Sequence, residues 1–293
     1  MDYGNKTALE NCRFLGDEYF TQLYETFIAA FSDYVVPFAL TELQFRNHIK
    51  LNAVDLNLTA GCFDGDRLVG FSLNGFGTWK GRPTVYDAGT GVIPAYRRQG
   101  VSDAMFELML PAFCDRGAEQ FLLEVVTTNS GAVSLYRKLD FAPVRELALL
   151  QCDGKIVSEF PIREEIEIRD LDNPDWGLLT SFWDGDPSWQ NSVDAIRRTD
   201  KLKRIVGAFI KGKCVGYNAF SARYGRLAQF GVSKDHRGRG VGTALIKAMQ
   251  AETADGFSMQ VINIDKSLTG AMNFFQKLGF YQRLSQYEMI RQM

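Results

Sequence analysis

Two stretches of this chain repeat each other's punctuation. Val92 to Phe106 (VIPAYRRQGVSDAMF) and Val232 to Met249 (VSKDHRGRGVGTALIKAM) each run from an apolar strand end through a basic, glycine-bearing turn into an amphipathic helix. Gly100 and Gly240 lie 140 residues apart. Two further landmarks keep nearly that offset: Leu139-Asp140-Phe141 against Leu278-Gly279-Phe280 by 139, and Val69-Gly70-Phe71 against Val215-Gly216-Tyr217 by 146. A period of this length is too long for a stacked solenoid and means a duplicated domain. The 293 residues then divide into two domains of ordinary size.

The repeated turn has the chemistry of an anion site. Arg97, Arg98, Gln99, Gly100, Val101 and Ser102 form the first copy; Arg237, Gly238, Arg239, Gly240, Val241 and Gly242 form the second. Glycines let successive backbone N–H groups turn inward, the helix that follows adds its unsatisfied N–H groups and positive end, and the arginines add charge. A diphosphate suits such a cradle. A Walker loop is absent, and the glycines lack the spacing of a dinucleotide fold.

Composition narrows the rest. With 46% hydrophobic and 23% charged residues and a net charge of -2, the chain reads as globular, with no reason to expect nucleic acid or an anionic membrane as a partner. The segment MDYGNKTALENCRF has no apolar core of signal-peptide length, and no run approaches a spanning helix, so a cytoplasmic setting is expected. Five scattered cysteines without a C-x-x-C pair are expected as reduced thiols. Only two histidines, His48 and His236, leave no zinc motif, so no metal site is expected.

In chain order, residues 11–15 read as a strand and Asp17 to Ser32 as a helix with an aromatic stripe. Thr41-x-x-Gln44 opens a second helix as a capping box, after a break at Pro37. Strands follow at Leu58 to Phe63, Arg67 to Asn74 and Thr84 to Ile93, with Gly75 to Pro83 as a polar link between the last two. The helix after the first turn contains Pro111, which is expected to end or kink it near Leu110. A strand from Phe121 to Val126, a helix from Gly131 to Leu139 and a strand from Val144 to Cys152 close the first half. A charged seam at Pro161 to Glu165 leads into a second half of the same order, with a hairpin around Lys211-Gly212-Lys213. The expected domains are 1–155 and 163–293.

Each half resembles the GNAT N-acetyltransferase superfamily. Its acyl-CoA loop, Q/R-x-x-G-x-G/A, is matched by Arg237-x-x-Gly240-x-Gly242 and, with serine in the last place, by Arg97-x-x-Gly100-x-Ser102. The family's N-x-x-A-x-x-x-Y-x-x-x-G-F segment is matched by Asn129, Ala132, Tyr136 and Phe141, with Asp140 replacing the glycine. The second half has Ala271, Phe275, Gly279 and Phe280, with Leu268 in the asparagine's place. The resemblance implies an α/β architecture of two tandem folds, each a mixed, twisted sheet flanked by helices and splayed around acetyl-CoA or another short acyl-CoA. It also implies that Arg97 and Arg237 hold the first loop position, that Asn129 bonds the cofactor arm, and that Val92 and Val232 lie near the backbone N–H that stabilises the oxyanion. The first helical pair would border the acceptor, which makes Phe31, Asp33 and Tyr34 contacts to consider beside a solvated turn.

Acetyl transfer to an amine also needs an acid for the departing thiolate and a base for the amine. Tyr136 stands at the family's tyrosine position, whereas Phe275 has no proton to give. Glu124, an acid inside an apolar strand, is the first choice of base, and Asp87 is the second; an acid so placed has its pKa raised unless it is paired. The function implied is acetyl-CoA-dependent N-acetylation of a primary amine on a small molecule or peptide by direct transfer. Catalysis is expected in the first half, with CoA binding and weak or no transfer in the second. A non-catalytic acyl-CoA sensor or scaffold is the alternative. Oligomeric state stays open, since a tandem repeat can replace a dimer or itself dimerise.

Overall fold

The computed structural model describes residues 11–34, 40–156 and 165–293. The break at Pro37 and the seam residues 161–164 lie outside the described residues. The elements in chain order are β1 (Cys12–Phe14), α1 (Phe20–Ala30), α2 (Glu42–Leu51), β2 (Ala60–Asp64), β3 (Arg67–Trp79), β4 (Arg82–Val92), α3 (Val101–Asp115), β5 (Gln120–Val126), α4 (Ser130–Lys138) and β6 (Ala142–Cys152). The second series is β7 (Glu167–Asp170), α5 (Trp176–Thr180), α6 (Val193–Arg198), β8 (Arg204–Ile210), β9 (Lys213–Ser221), β10 (Arg226–Val232), α7 (Val241–Glu252), β11 (Met259–Asp265), α8 (Thr269–Lys277) and β12 (Tyr281–Gln292). None of the described helices is long and apolar enough to cross a membrane.

The chain forms two compact units: Met1–Val144 with Glu288–Met293, and Arg145–Tyr287. The sequence expectation of 1–155 and 163–293 differs, because the unit boundary cuts β6 and β12. In the first unit the sheet runs β1-β2-β3-β4-β5 and then takes the end of β12. Met293 N–H donates to Glu119 C=O at 3.0 Å, and Arg291 Nη1 donates to Leu139 C=O at 2.8 Å. In the second unit β6 pairs antiparallel with β11, from Met259↔Cys152 to Asp265↔Leu147. A closing strand reads the same in sequence whichever sheet it joins, so the repeat could not reveal its destination.

Local chemistry accounts for most elements. Thr41 and Gln44 form the expected capping box, with reciprocal bonds of 3.3 and 2.8 Å. α1 buries Leu23, Phe27 and Ala30 against β3 with Phe45 and Phe71. Two expectations fail. β3 continues to Trp79 and turns on Lys80-Gly81 with φ of 50° and 79°, so the presumed link is a two-residue hairpin turn. α3 runs through Pro111 to Asp115, because Phe113, fully buried against Phe121 with ring centroids 5.3 Å apart, holds the last turn by packing.

Among the cysteines, Cys12 and Cys62 are joined as a disulfide, against the expectation of thiols. They are register partners on antiparallel β1 and β2, an adjacency that their separation of 50 residues conceals. Cys114, Cys152 and Cys214 are free.

Met289, with no exposure, lies in the β12 segment that belongs to the first unit. Met289→Ala is expected to lower stability by about 2–5 kcal/mol in denaturant unfolding, the range for emptying a core site. Loss of less than half that would mean that the segment does not complete the first unit's core.

Candidate functional site

In the first unit β4 and β5 pair in parallel only from Thr84↔Gln120 to Asp87↔Leu123. Beyond Asp87 they part, and in the β3–β4 ladder the register shifts between Leu73↔Gly89 and Asn74↔Asp87, leaving Ala88 as an extra residue. The second unit repeats both features. β10 pairs with β11 only at Arg226↔Gln260 and Leu227↔Val261, and Ala228 is the bulge. The two bulges are 140 residues apart, the offset of the glycine turns.

A fork leaves backbone groups without a ladder. Ile93 N–H donates to Val69 C=O at 2.9 Å on the β3 side, so strand alternation turns the N–H of Val92 the other way, toward the fork. Val232 is placed identically, since Ser233 N–H donates to Val215 C=O at 2.8 Å. Past these residues each loop makes a 3-10 turn, at Pro94–Tyr96 and Lys234–His236, and enters its helix through a left-handed glycine, Gly100 at φ 80° and Gly240 at φ 91°. Arg98 and Gly238 are left-handed as well, at φ 60° and 70°. Neither α3 nor α7 has a side-chain cap, so Val101, Ser102, Val241 and Gly242 present the uncapped end of a long helix.

The two arginines of the repeated motif make the same set of contacts within the protein. Arg97 donates from Nε to Val92 C=O at 3.1 Å, from Nη2 to Ala30 C=O at 2.9 Å, and through both Nη atoms to Asp33 at 2.7 Å. Arg237 repeats the set with Val232 C=O at 3.0 Å, Phe182 C=O at 3.3 Å and Asp184 at 2.9 Å. Their guanidinium groups brace the loop against the segment after the first helix. Asp33, considered as an acceptor contact, is the arginine's partner, and that pairing holds its carboxyl below the usual range. Arg98, Gln99 and Arg239 are exposed beside the loop.

Ser102 and Gly242 differ for a packing reason. A Cβ on Gly242 would lie 2.9 Å from the Phe274 ring and 3.0 Å from the Phe230 ring. Thr90 and Leu135 stand at those ring positions in the first half, by the 140- and 139-residue offsets, and leave room for serine.

At the vertex of the first fork, the Tyr136 hydroxyl of α4 donates to Asp87 Oδ2 at 3.1 Å. Thr90 Oγ1 bonds the same oxygen at 2.8 Å, and Gly89 N–H donates to Oδ1 at 2.8 Å. Both Asp87 and Tyr136 are buried. Desolvation pushes Asp87 up from 3.8 to about 6, opposed by these hydrogen bonds, and burial beside Asp87 pushes Tyr136 well above the ordinary tyrosine range. Asn129 caps α4 through Oδ1, which accepts from Ala132 N–H at 3.1 Å, and its side chain meets the hydroxyl of Tyr34. Phe31 packs on Tyr34, ring centroids 5.2 Å apart, and on the α1 core.

Glu124 lies elsewhere. Its Oε2 accepts from the Tyr86 hydroxyl. Successive β4 residues point to opposite faces: Asp87 shares a face with its partner Asn74, which bonds Met109 of α3, whereas Tyr86 shares one with Gly75, against Asn52 after α2. One fork thus has a carboxyl–tyrosine pair on each face. His48 of α2 also reaches β4, its Nε2 2.8 Å from the bulge carbonyl of Ala88, and burial pushes its pKa down. No sequence signal singles out His48, Thr90 or Tyr86 for this site, since only the bulge and the register assemble them.

The second fork does not carry these polar groups. Leu227, Phe230, Leu268 and Phe275 stand where Asp87, Thr90, Asn129 and Tyr136 stand in the first half. They line a cavity of about 360 Å³ with Phe274 and Val261. Buried Gln229, at the Gly89 position, accepts from Tyr217 at 2.8 Å and donates to Asn191 C=O at 2.6 Å, which ties β10 to the segment between α5 and α6. Trp183 donates to Tyr217 at 2.6 Å, and Trp189 is buried. No cluster of metal-ligating side chains occurs among the described residues.

The sequence profile of the acetyltransferase (GNAT) family matches residues 20–141 and 166–280. An N-alpha-acetyltransferase of Sulfurisphaera tokodaii is 35% identical over 86 residues, 28% of this chain and 52% of that protein. A thialysine N-epsilon-acetyltransferase of Sus scrofa is 36% identical over 77 residues, 26% of this chain and 45% of that one. The chain thus spans about half the length of these curated relatives. Among solved structures, a tandem GNAT protein from the clavulanic acid biosynthesis pathway superposes with a TM-score of 0.70 at 15% identity, over 96% of this chain and 98% of that one.

Two outcomes follow from the site. Because Arg97 acts through Asp33, Arg97→Ala and Asp33→Asn are expected to weaken acetyl-CoA binding similarly in calorimetry, and the double variant no further than either single one. Additive losses would return Arg97 to the ligand. Asp87 binds its proton more tightly folded than unfolded, so its contribution to stability is fully present below about pH 4 and lost as pH rises through about 6. A shift of that size corresponds to about 3 kcal/mol. The stability of the parent relative to Asp87→Asn is therefore expected to fall by up to about that amount between pH 4 and 7 in chemical unfolding. A pH-independent difference would show that the carboxyl is not buried in the native state.

Proposed function

The chain belongs to the acetyltransferase (GNAT) family, and from that membership we propose that its first unit moves an acetyl group from acetyl-CoA to a primary amine by direct transfer. The single observation that carries this is the Tyr136 hydroxyl at the vertex of the β4–β5 fork, below the uncapped N-terminus of α3. The residues fit the substrate: an anionic diphosphate suits the N–H groups of 98–102 and the end of α3, and a polar extended arm suits the strand groups that β5 leaves unpaired. Acetyl-CoA supplies the activated acyl group and a thiol leaving group. Val92 N–H faces the fork where a carbonyl oxygen would gain charge, a contribution of about 3 kcal/mol in comparable sites. Tyr136 is the proton donor, and Glu124, bonded to Tyr86 on the face of α1 and α2, is the base. Asn129, fixed as a helix cap, holds its amide toward the arm.

The second unit is proposed to bind acyl-CoA through residues 237–242 and Val232 without efficient transfer. Leu227 and Phe275 offer no proton, and Gln229 with Asn191 closes the side from which an amine would come. A cytoplasmic setting, where acetyl-CoA is made and used, belongs to this reading; the Cys12–Cys62 disulfide is the feature that sits against a reducing compartment. The names of the two relatives concern an N-alpha and an N-epsilon amine, so the acceptor panel pairs free-N-terminal peptides with thialysine and related small amines.

The test is calorimetric titration of acetyl-CoA followed by thiol release over that panel. Two sites are expected in the parent, one lost in Gly100→Glu and the other in Gly240→Glu, with turnover abolished only in the first. Tyr136→Phe is expected to lower kcat about 100-fold with acetyl-CoA affinity unchanged. Absence of binding at either site would end the acetyltransferase reading, and full activity in Tyr136→Phe would remove the proton donor from it.

A further inference from the structure

A tyrosine that protonates a leaving thiolate beside an ionised carboxylate would leave two adjacent negative charges in a buried site. The surroundings of Asp87 avoid that outcome. Its hydrogen-bond partners are Tyr136, Thr90 and Gly89 N–H, and no lysine, arginine or histidine bonds it among the described residues. A carboxyl this buried and without a cation is held in its neutral form at a pH where exposed carboxyls are ionised. The groups facing it are Tyr136 from α4, Tyr34 after α1, Thr90 on its own strand and, through Thr90 Oγ1 at 2.9 Å, Ser72 on β3. Glu124 of β5 is turned to the other face with Tyr86.

We infer that Asp87 is a positioning and proton-supplying residue behind Tyr136, a second link in the donor path that acts only through the tyrosine hydroxyl. As the thiolate departs, the Tyr136 O–H bond breaks and an S–H bond forms, while the O–H electron pair stays on the phenol oxygen. In the neutral acid the 3.1 Å contact runs the other way, with Asp87 Oδ2–H donating to the tyrosine oxygen, and that proton passes across as the thiolate is protonated, which restores the tyrosine and leaves a carboxylate. Thr90 and Gly89 N–H, already in place, satisfy that carboxylate until solvent returns the proton. Nothing is oxidised or reduced, and the amine proton leaves separately through Glu124.

The second half supports the linkage independently. Its tyrosine and aspartate positions have both become apolar, Phe275 and Leu227, although they lie on different elements. Had the tyrosine served only to pack against Phe106 and Phe141, as its ring does at 6.3 and 5.6 Å, its loss would not need the acid to go as well.

This inference rests on acetyl transfer in the first unit, and two measurements keep the failures apart. The first needs no acceptor: infrared difference spectra of the full chain with and without CoA at pH 7. A protonated-carboxyl band that grows on CoA addition is expected in the parent and not in Asp87→Asn, because closing the fork removes more water from Asp87. CoA binding without that band overturns the relay and leaves the acetyltransferase reading intact; no CoA binding overturns both. The second is the pH profile of kcat with an accepted amine. The parent rate should fall as pH rises through the apparent pKa of the Asp87–Tyr136 pair. Asp87→Asn should be about 100-fold slower, with that limb gone and acetyl-CoA KM unchanged. Thr90→Val withdraws a bond from the carboxylate and should move the limb to higher pH. A merely structural Asp87 would lower stability or raise KM and leave the limb in place, and a Thr90→Val limb that stayed or moved down would overturn the inference even if Asp87→Asn failed to fold.

Discussion

Parallel strands that part company leave backbone donors and acceptors without partners, and a buried orphan is costly unless something else meets it. Each half of this chain accepts that cost at one place, where β4 leaves β5 after Asp87 and β10 leaves β11 after Leu227. The bulge one residue further, Ala88 or Ala228, sets the strand's register past the fork and decides which N–H groups face it. The helix that follows begins without a side-chain cap, which adds N–H groups on the same path. These open groups form a line that an extended, anionic, hydrogen-bonding substrate can satisfy.

The loop survives its own glycines because of the arginine brace. Each turn holds two left-handed residues separated by one residue, Arg98 and Gly100 or Gly238 and Gly240, and Arg97 or Arg237 ties it both to its own strand and to the segment after the first helix. The charge that looks intended for a ligand is largely neutralised by Asp33 or Asp184. Backbone N–H groups then remain as the loop's open donors, and Arg98 and Gly238 occupy equivalent left-handed positions in it.

Duplication allowed the two forks to diverge while keeping one scaffold. The first holds buried polar groups that cost stability, with Asp87–Tyr136 on one face and Tyr86–Glu124 on the other. The second exchanged them for Leu227, Phe230, Leu268 and Phe275, which line a cavity with apolar surface. Gly89, open in the first, is Gln229 in the second, whose buried amide is satisfied by Asn191 and Tyr217.

The order of elements, the duplication, the two glycine turns and the helix carrying Tyr136 were legible in the sequence, because each depends on residue type at short spacing: periodicity, left-handed glycines and capping residues. Asp87 could be seen as a buried acid but not ranked above Glu124, since both interrupt apolar strands. The face each side chain takes follows from its register, Asp87 opposite Asn74 and Leu123, and Glu124 with Tyr86. Nor could the sequence show that Cys12 opposes Cys62, that Arg97 turns back on Asp33, or that the last six residues complete the first unit. Those facts rest on contacts between residues far apart in the chain, which register and strand pairing determine and local propensity does not.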